Sequence, residues 1–252
     1  RSWHAGMVAC MGSGLIEIVG AFSADRLRRW LPRAALLSTL AGIALGYIAL
    51  GFLLRTYAHP LVGLTSLAVI VLGYYAKVRW PLPTGLMAVL LGMVLAWSSG
   101  LIAPSPGAWQ ESIRTISWHP PTLQLQILWD NRSDLFPWLG VIVPMGLFNV
   151  IGSLQNLESA DAAGDRYVTR TCLLIDGVGT LAAAALGSCF PTTIYIGHSG
   201  FKEMGARSGY SWLNGVVMAA ACFFGLFGLL ALLIPIDAGM SIVLYIGIAM
   251  TA

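Results

Sequence analysis

Long apolar segments follow one another along nearly the whole chain, and they constrain its fold more than any other feature. They lie at 5–22, 34–54, 60–76, 82–99, 136–157, 172–189, 192–206, 211–234 and 236–252. A helix needs about 20 apolar residues to cross a bilayer. Only 10% of the 252 residues are charged, whereas soluble domains carry about 25%. The sequence therefore predicts an all-α integral membrane protein with about nine spans.

Basic residues cluster after alternate apolar segments, which predicts how the helices are oriented. They are Arg26, Arg28, Arg29 and Arg33 after the first segment, Lys77 and Arg79 after the third, Arg166 and Arg170 after the fifth, and Arg207 after the seventh. These groups fall on one side if each segment crosses once, as the positive-inside rule requires. The loop 100–135, rich in Trp, is then expected on the outer membrane surface. A net charge of +3 is too small to predict nucleic-acid binding.

Three further features bear on organisation and chemistry. The chain lacks an initiator Met and stops inside an apolar run, so we expect an internal fragment of a longer protein. Its four cysteines are scattered through apolar segments without metal-ligand spacing, so no metal and no cofactor is expected. The "GSG" at 12–14 lies within an apolar segment, where small residues allow close helix packing.

One stretch, "SLQNLESADAAGDRY" at 153–167, places three carboxylates at the end of an apolar segment. On a helix, Glu158, Asp161 and Asp165 fall within a wedge of about 60°. Ionisable residues on such a helix usually face a bundle interior or a water-filled site. The alternative is that the helix has already left the membrane, with Arg166 and Arg170 pairing with these acids.

A second stretch, "GSCFPTTIYIGHSGFKEMGARSGYSW" at 187–212, predicts an interrupted helix. Pro191 and the β-branched residues that follow favour extended chain over 191–195. A helix is expected to begin near Gly197, with its N-terminus directed at the face that bears Asp161. Non-helical backbone at membrane depth is tolerated only where it lines a cavity or is buried in protein. The alternative is an ordinary re-entrant segment without a ligand.

Together these stretches resemble the nucleobase–cation symporter 2 family, the xanthine/uracil permeases, and most of all its adenine/guanine/hypoxanthine branch. The resemblance covers about 120–252. It is carried by the acid-x-x-Gly pattern from Asp161 to Gly164, by "LLIDGVGTLAAAALGSCFPTTIYIGHSG" at 173–200, by "GARSGYSWLNG" at 205–215 and by "PPTLQLQILW" at 120–129. The sequence departs from the family where His198 follows Tyr195, since the family usually carries Glu or Gln there.

The resemblance implies a transporter of fourteen spans in two inverted seven-span repeats, of which this chain holds about nine. It implies the end of the first core repeat at 1–22, gate-domain helices at 23–99, the extracytoplasmic loop at 100–135, a second-repeat core with the substrate site at 136–207, and truncated core and gate helices at 208–252. The expected location is the plasma membrane, the inner membrane of a bacterium.

The function this implies is proton-coupled import of a nucleobase, a purine or xanthine/uracil, and not catalysis. The implied substrate-binding residues are Asp161, Glu158, Gly197, His198, Ser199, Tyr195 and Thr193, and the implied proton-coupling residues are Asp161, Glu158 and Asp165. Glu158 competes with Asp161 for the position of the family's acid. The expected partners are the base, the proton and the lipid bilayer, and the sequence leaves a homodimer open. The alternatives are an anion carrier of the same fold, such as one for sulfate or bicarbonate, a membrane-embedded enzyme, and a structural membrane subunit.

Overall fold

The computed structural model describes residues 2–251, and regular structure within them is helical. The helices are α1 (Ser2–Trp30), α2 (Arg33–Ile43), α3 (Leu50–Thr56), α4 (Pro60–Ile70), α5 (Thr84–Ser98), α6 (Pro106–Arg114), α7 (Leu125–Asp130), α8 (Leu135–Ala162), α9 (Thr169–Ala185), α10 (His198–Glu203), α11 (Tyr210–Phe223), α12 (Phe227–Leu233) and α13 (Ile236–Ala249). Two π-helical stretches, Ala44–Ala49 and Val71–Tyr75, extend α2 and α4. The predicted all-α class is thus seen over the described part of the chain.

Within residues 2–251, three helical stretches are long and apolar enough to cross a membrane: Trp3–Trp30, Arg33–Thr56 and Phe136–Ala162. The pair α11 and α12 adds a fourth if it forms one span, although it is bent by 107° at its break. Three shorter apolar helices, Pro60–Tyr75, Thr84–Ser98 and Ile236–Ala249, correspond to other apolar segments of the sequence. These helices fit an all-α membrane protein, while the nine-span count and the inverted repeats remain predictions.

The chain forms two compact units, each built from two separate stretches. One contains the residues up to Leu40 together with Pro121–Ser199, and the other contains Ala41–Pro120 together with the residues from Gly200 onward. The first unit therefore joins α1 to α8 and α9, which follow it by more than a hundred residues in sequence. The predicted division into core and gate ranges stays a prediction.

In the first unit, α1 packs along both α8 and α9. The packing buries Ala21 and Ala24 of α1 against Val150 and Leu154 of α8 and Leu173 of α9. Small residues bring α1 and α9 into backbone contact, since a Cβ built on Gly14 would lie 3.0 Å from the carbonyl oxygen of Gly177. The close packing predicted for the "GSG" motif is therefore confirmed at Gly14.

In the second unit, α4, α5 and α13 surround a separate apolar core. Val69 and Ile70 of α4 pack with Ala88 of α5 and Tyr245 of α13. Ser66 is fully buried and donates to the carbonyl of Ala88 at 3.1 Å, which satisfies its hydroxyl without water. The unit thus has an interior of its own.

The stretch 100–135, predicted as an interfacial loop, contains two short helices that hydropathy did not indicate. α6 begins with an ordinary capping arrangement, because Ser105 accepts a hydrogen bond from the Ala108 N–H at 3.3 Å and Pro106 occupies the first turn. Trp118 stacks on Phe223, with ring centroids 5.3 Å apart. Trp118 therefore packs on protein, while the interfacial position of this stretch stays a prediction.

Candidate functional site

The predicted interruption of the helix is present in the first unit. Residues 191–195 are non-helical, and α10 begins at His198, one residue after the predicted start near Gly197. Side chains of α8 form hydrogen bonds with backbone carbonyls of this segment, which in a regular helix would be bonded to the helix's own N–H groups. Asn149 donates to the Thr192 carbonyl at 3.2 Å, and Asn156 donates to the Ile194 carbonyl at 2.6 Å. The segment is therefore held by α8 at two successive points.

The residues of α8 that face this segment form a polar stripe. Asn149, Ser153 and Asn156 lie at positions i, i+4 and i+7, which places them within about 60° of each other around the helix. Ser153 donates to Asp176 of α9 at 3.5 Å. The stripe thus presents amide and hydroxyl groups to the one non-helical stretch of the unit that joins α9 to α10.

One atom of this stripe has no hydrogen-bond partner among the described residues. Asn156 is only 6% exposed, and its Oδ1 is buried without a donor. A buried amide oxygen without a donor costs free energy of about 1–3 kcal/mol. A ligand with an N–H group could donate a hydrogen bond to this unpaired oxygen, which lies next to non-helical backbone.

Two carboxyl groups lie beside the stripe, and the sequence interpretation did not single out either of them. Glu17 of α1 is fully buried; it contacts the Asn149 amide through Oε1, and its Oε2 lies 3.2 Å from the Thr180 hydroxyl oxygen. Asp176 of α9 accepts from the Thr192 hydroxyl at 2.9 Å. The sequence offered a signal for Glu17, which is the one charged residue within "GLIEIVG", because an ionisable residue in an apolar helix is a functional candidate by default.

Glu158 and Asp161, the predicted substrate acids, lie in a cluster of arginines at the end of α8. Glu158 contacts Arg28 and lies 3.3 Å from the Nε of Arg33. Asp161 lies 2.9 Å from Arg166 and within 3.8 Å of both other guanidinium groups. The predicted wedge is present for these two acids, which share partners, but not for Asp165, because α8 ends at Ala162. It faces the end of α1, on the side of α8 roughly opposite the polar stripe.

The acids therefore pair with arginines, as the alternative interpretation of the sequence predicted. Most of these arginines are not the ones that it named. Arg166 was expected, whereas Arg28 and Arg33 come from the first basic group of the sequence. Both basic groups therefore lie at the same end of the first unit, as the charge pattern predicts for them. Arg170 instead stacks over the ring of Phe22, with 4.5 Å between its guanidinium carbon and the ring centroid.

Replacing Arg28 should destabilise the first unit, because it contacts Glu158 and also donates to Thr169 at 2.9 Å. Glu158 is only 5% exposed, and breaking a buried ion pair costs about 3–5 kcal/mol. We expect Arg28→Gln to lower the melting temperature of the purified protein, and Arg28→Gln with Glu158→Gln to recover part of the loss. The exposed neighbour Arg29 is the matched control; equal melting of Arg28→Gln and Arg29→Gln would contradict the pairing.

The third predicted acid, Asp165, lies with the residues predicted for the start of α10. Its Oδ2 is 2.9 Å from Nε2 of His198, and the Tyr167 ring meets the His198 ring edge-on with centroids 5.9 Å apart. Ser199 accepts a hydrogen bond from Ser159 of α8 at 3.4 Å. Asp165, His198 and Ser199 are thus brought together, away from the partners of Glu158 and Asp161.

The remaining predicted site residues differ in their surroundings. Thr193 and Tyr195 are exposed. A Cβ on Gly197 would lie 2.7 Å from the Tyr195 hydroxyl, so the tyrosine ring folds back over this glycine. A Cβ on Gly200, in the first turn of α10, would meet the Ile246 backbone at 3.3 Å, so this glycine allows a close contact between helices.

No group of three or more His, Cys, Asp or Glu side chains within residues 2–251 is arranged to hold a metal ion. Comparison of the chain with protein-family models, with curated proteins and with solved structures gives no match.

Proposed function

We propose that this protein is a secondary active transporter that imports a nucleobase together with a proton. The observation that supports it best is the non-helical segment 191–195 held against the polar stripe of α8, with the Asn156 amide oxygen buried and unpaired. Irregular backbone inside a membrane bundle is tolerated where it lines a cavity, and transporters use such broken helices for substrate binding.

The chemistry of the stripe suits a planar heterocycle. A purine or a uracil presents ring N–H donors and ring carbonyl acceptors along its edge. The Asn156 oxygen can accept from a ring N–H, and amide or hydroxyl groups can donate to a ring carbonyl. Tyr195 ends the segment, Gly197, His198 and Ser199 follow it, and all four keep their proposed place at the site. Neutral groups that both donate and accept favour an uncharged base.

The proposed base contact is at Asn156, which differs from the contact first expected at Asp161 or Glu158. Those two acids already have arginine partners. A base would have to compete with guanidinium groups for their oxygens, and charge-assisted pairs are about twice as strong as neutral hydrogen bonds. We therefore assign Glu158 and Asp161 to holding α1 against α8.

An anion carrier of the same fold fits the site less well. Glu17 and Asp176 both border the segment through Thr180 and Thr192, and neither forms an ion pair with an arginine or lysine in the described chain. An anion placed beside them would be repelled if either is ionised, and Arg28, Arg33 and Arg166 are paired with Glu158 and Asp161.

Uptake of radiolabelled bases by cells that express the protein tests the proposal. We expect uptake of a purine or uracil that unlabelled bases inhibit, that sulfate and bicarbonate leave unchanged, and that a protonophore abolishes. Uptake that follows a sodium gradient at fixed pH would contradict proton coupling. Uptake of an anion without any base uptake would overturn the proposed substrate class.

A further inference from the structure

A continuous chain of four side-chain oxygens joins the carboxyl group of Glu17, which is fully buried, to that of Asp176, which is partly buried. Oε2 of Glu17 lies 3.2 Å from Oγ1 of Thr180. Oγ1 of Thr180 lies 2.8 Å from Oγ1 of Thr192, which lies 2.9 Å from Oδ1 of Asp176. The chain crosses from α1 to α9, reaches the non-helical segment and returns to α9.

Three contacts between oxygen atoms need three hydrogen-bond protons. The two threonine hydroxyls supply one proton each, and an ionised carboxylate supplies none. The third proton therefore has to sit on one of the carboxyl groups. With both acids ionised, one of the three contacts would bring two oxygens together with no proton between them.

The surroundings indicate which acid holds the proton. Asp176 receives donors from the Thr192 and Ser153 hydroxyls and interacts with the Ile194 backbone N–H, which suits an ionised carboxylate. Glu17 is fully buried, and charge in such surroundings is costly unless it is paired. Its Oε1 accepts from Asn149, which leaves Oε2 to carry the hydroxyl proton and donate it to Thr180.

The hydrogen bonds that connect these four oxygens can run in either direction, and each direction gives every group a partner. At rest, protonated Glu17 donates to Thr180, Thr180 to Thr192, and Thr192 to Asp176. The Thr180 oxygen also accepts from the Thr192 backbone N–H at 3.1 Å, and a hydroxyl oxygen can accept twice. If each proton moves one step along, the Glu17 proton passes to Thr180, the Thr180 proton to Thr192 and the Thr192 proton to Asp176. The net result is one proton transferred and all three hydrogen bonds reversed.

We propose that Glu17 and Asp176 share a single proton through the hydroxyls of Thr180 and Thr192, and that Glu17 holds it at rest. Resting on the proposed function, this is the proton that the transporter carries with its base. Ile194 connects the two events, because its N–H interacts with Asp176 while its carbonyl accepts from Asn156. A base bound at Asn156 therefore acts on the residue that helps to stabilise the ionised form of Asp176.

Other titratable groups near this pair are thiols. Cys10 of α1 interacts electrostatically with Glu17 and with Cys189, and Cys172 of α9 interacts with Asp176. From α8 the pair faces the neutral side chains of Asn149 and Ser153, and from the segment it faces Thr192. Within the part of the chain that the structure describes, no cation is placed to compensate a second negative charge.

Infrared difference spectroscopy of the purified protein tests the shared proton without any transport measurement. The wild-type protein should show the carbonyl-stretch band of one protonated carboxylic acid at neutral pH, shifted in heavy water. Glu17→Gln should lose the band, because the glutamine amide donates to Thr180 and Asp176 stays ionised. Asp176→Asn should keep it, because the asparagine oxygen accepts from Thr192. Thr180→Val should keep the band at a shifted frequency, because Glu17 loses its acceptor.

Matched controls and contrary outcomes are available in the same chain. Glu111→Gln, at an exposed position of α6, and Thr65→Val, in α4, should leave the band unchanged. A band that persists in the double variant Glu17→Gln with Asp176→Asn would overturn the proposal. Two bands in the wild-type protein would also overturn it if Glu17→Gln removes one band and Asp176→Asn removes the other, because each acid would then hold a proton of its own. Thermal melting identifies a variant that fails to fold. If Glu17→Gln fails to fold, the two single variants Asp176→Asn and Thr180→Val provide the test.

Transport distinguishes failure of this proposal from failure of the proposed function. In Glu17→Gln we expect exchange of labelled for unlabelled base to continue while the proton gradient no longer accelerates net uptake. Gradient-driven uptake by Glu17→Gln at the wild-type rate would refute the role of this proton in coupling. If the wild-type protein transports no base, the proposed function fails while the infrared result still decides where the proton lies.

Discussion

Replacing Asn156 with Leu should reduce base uptake to background while the protein still reaches the membrane. The substitution removes the buried oxygen proposed to accept from the base, and it removes the donor to the Ile194 carbonyl at 2.6 Å. Sites built to hydrogen-bond a ligand discriminate by about 10⁴–10⁵-fold against a ligand that cannot make the bond, so removing the partner in the protein should also have a large effect. The measurement is initial uptake of the labelled base, with expression quantified in the same cells.

A second substitution separates base binding from support of the segment. Asn156→Asp keeps the acceptor oxygen and loses the donor, so we expect weak uptake with a raised KM. The matched control is Gln155→Leu, a polar-to-apolar change at the neighbouring buried position of α8, on a different side of the helix. Wild-type uptake by Asn156→Leu would place the base elsewhere. Loss of uptake in Gln155→Leu alone would move the site to another face of α8.

Replacing Gly177 with Leu should strongly destabilise the first unit. A Cβ at this position would lie 3.0 Å from the Gly14 carbonyl oxygen and 3.0 Å from the Ile18 backbone nitrogen. Backbone atoms of α1 cannot move aside as a flexible side chain could, and overpacking costs about 1–3 kcal/mol even where a core can adjust. We expect loss of the monodisperse peak in size-exclusion chromatography and a lower melting temperature.

The control for this prediction is Gly140→Leu in α8. A Cβ on Gly140 has no atom within 4 Å of it, so the same change in side-chain size meets open space. It should leave elution and melting close to those of the wild-type protein. Equal behaviour of the two variants would show that α1 and α9 are not held in backbone contact.

Local features were predictable from the sequence because their causes lie within a few neighbouring residues. The apolar segments correspond to helices because a long apolar run satisfies its backbone most simply by helix formation. The interruption at 191–195 was predictable because Pro191 disfavours helix and β-branched residues follow it. The shared face of Glu158 and Asp161 follows from helical periodicity alone.

The chemistry at those positions was decided by the tertiary structure. Periodicity shows that Glu158 and Asp161 share a face, but it does not show what that face meets. Packing of α1 along α8 places Arg28, 130 residues away in sequence, against Glu158. Because guanidinium groups pair with these acids, the proposed base contact lies instead on the opposite side of α8, at Asn156.

The partners of Glu17 were likewise not predictable from the residues next to it in sequence. Its sequence neighbours identify it only as a charge in an apolar helix, whereas its partners Asn149 and Thr180 are 132 and 163 residues away. The sequence by itself determined the helical membrane class, the interrupted segment and the position of each acid along its own helix. Only the tertiary structure decided which acids meet arginines and which meet hydroxyl groups, because those contacts arise where α1 packs between α8 and α9 and not from any local pattern.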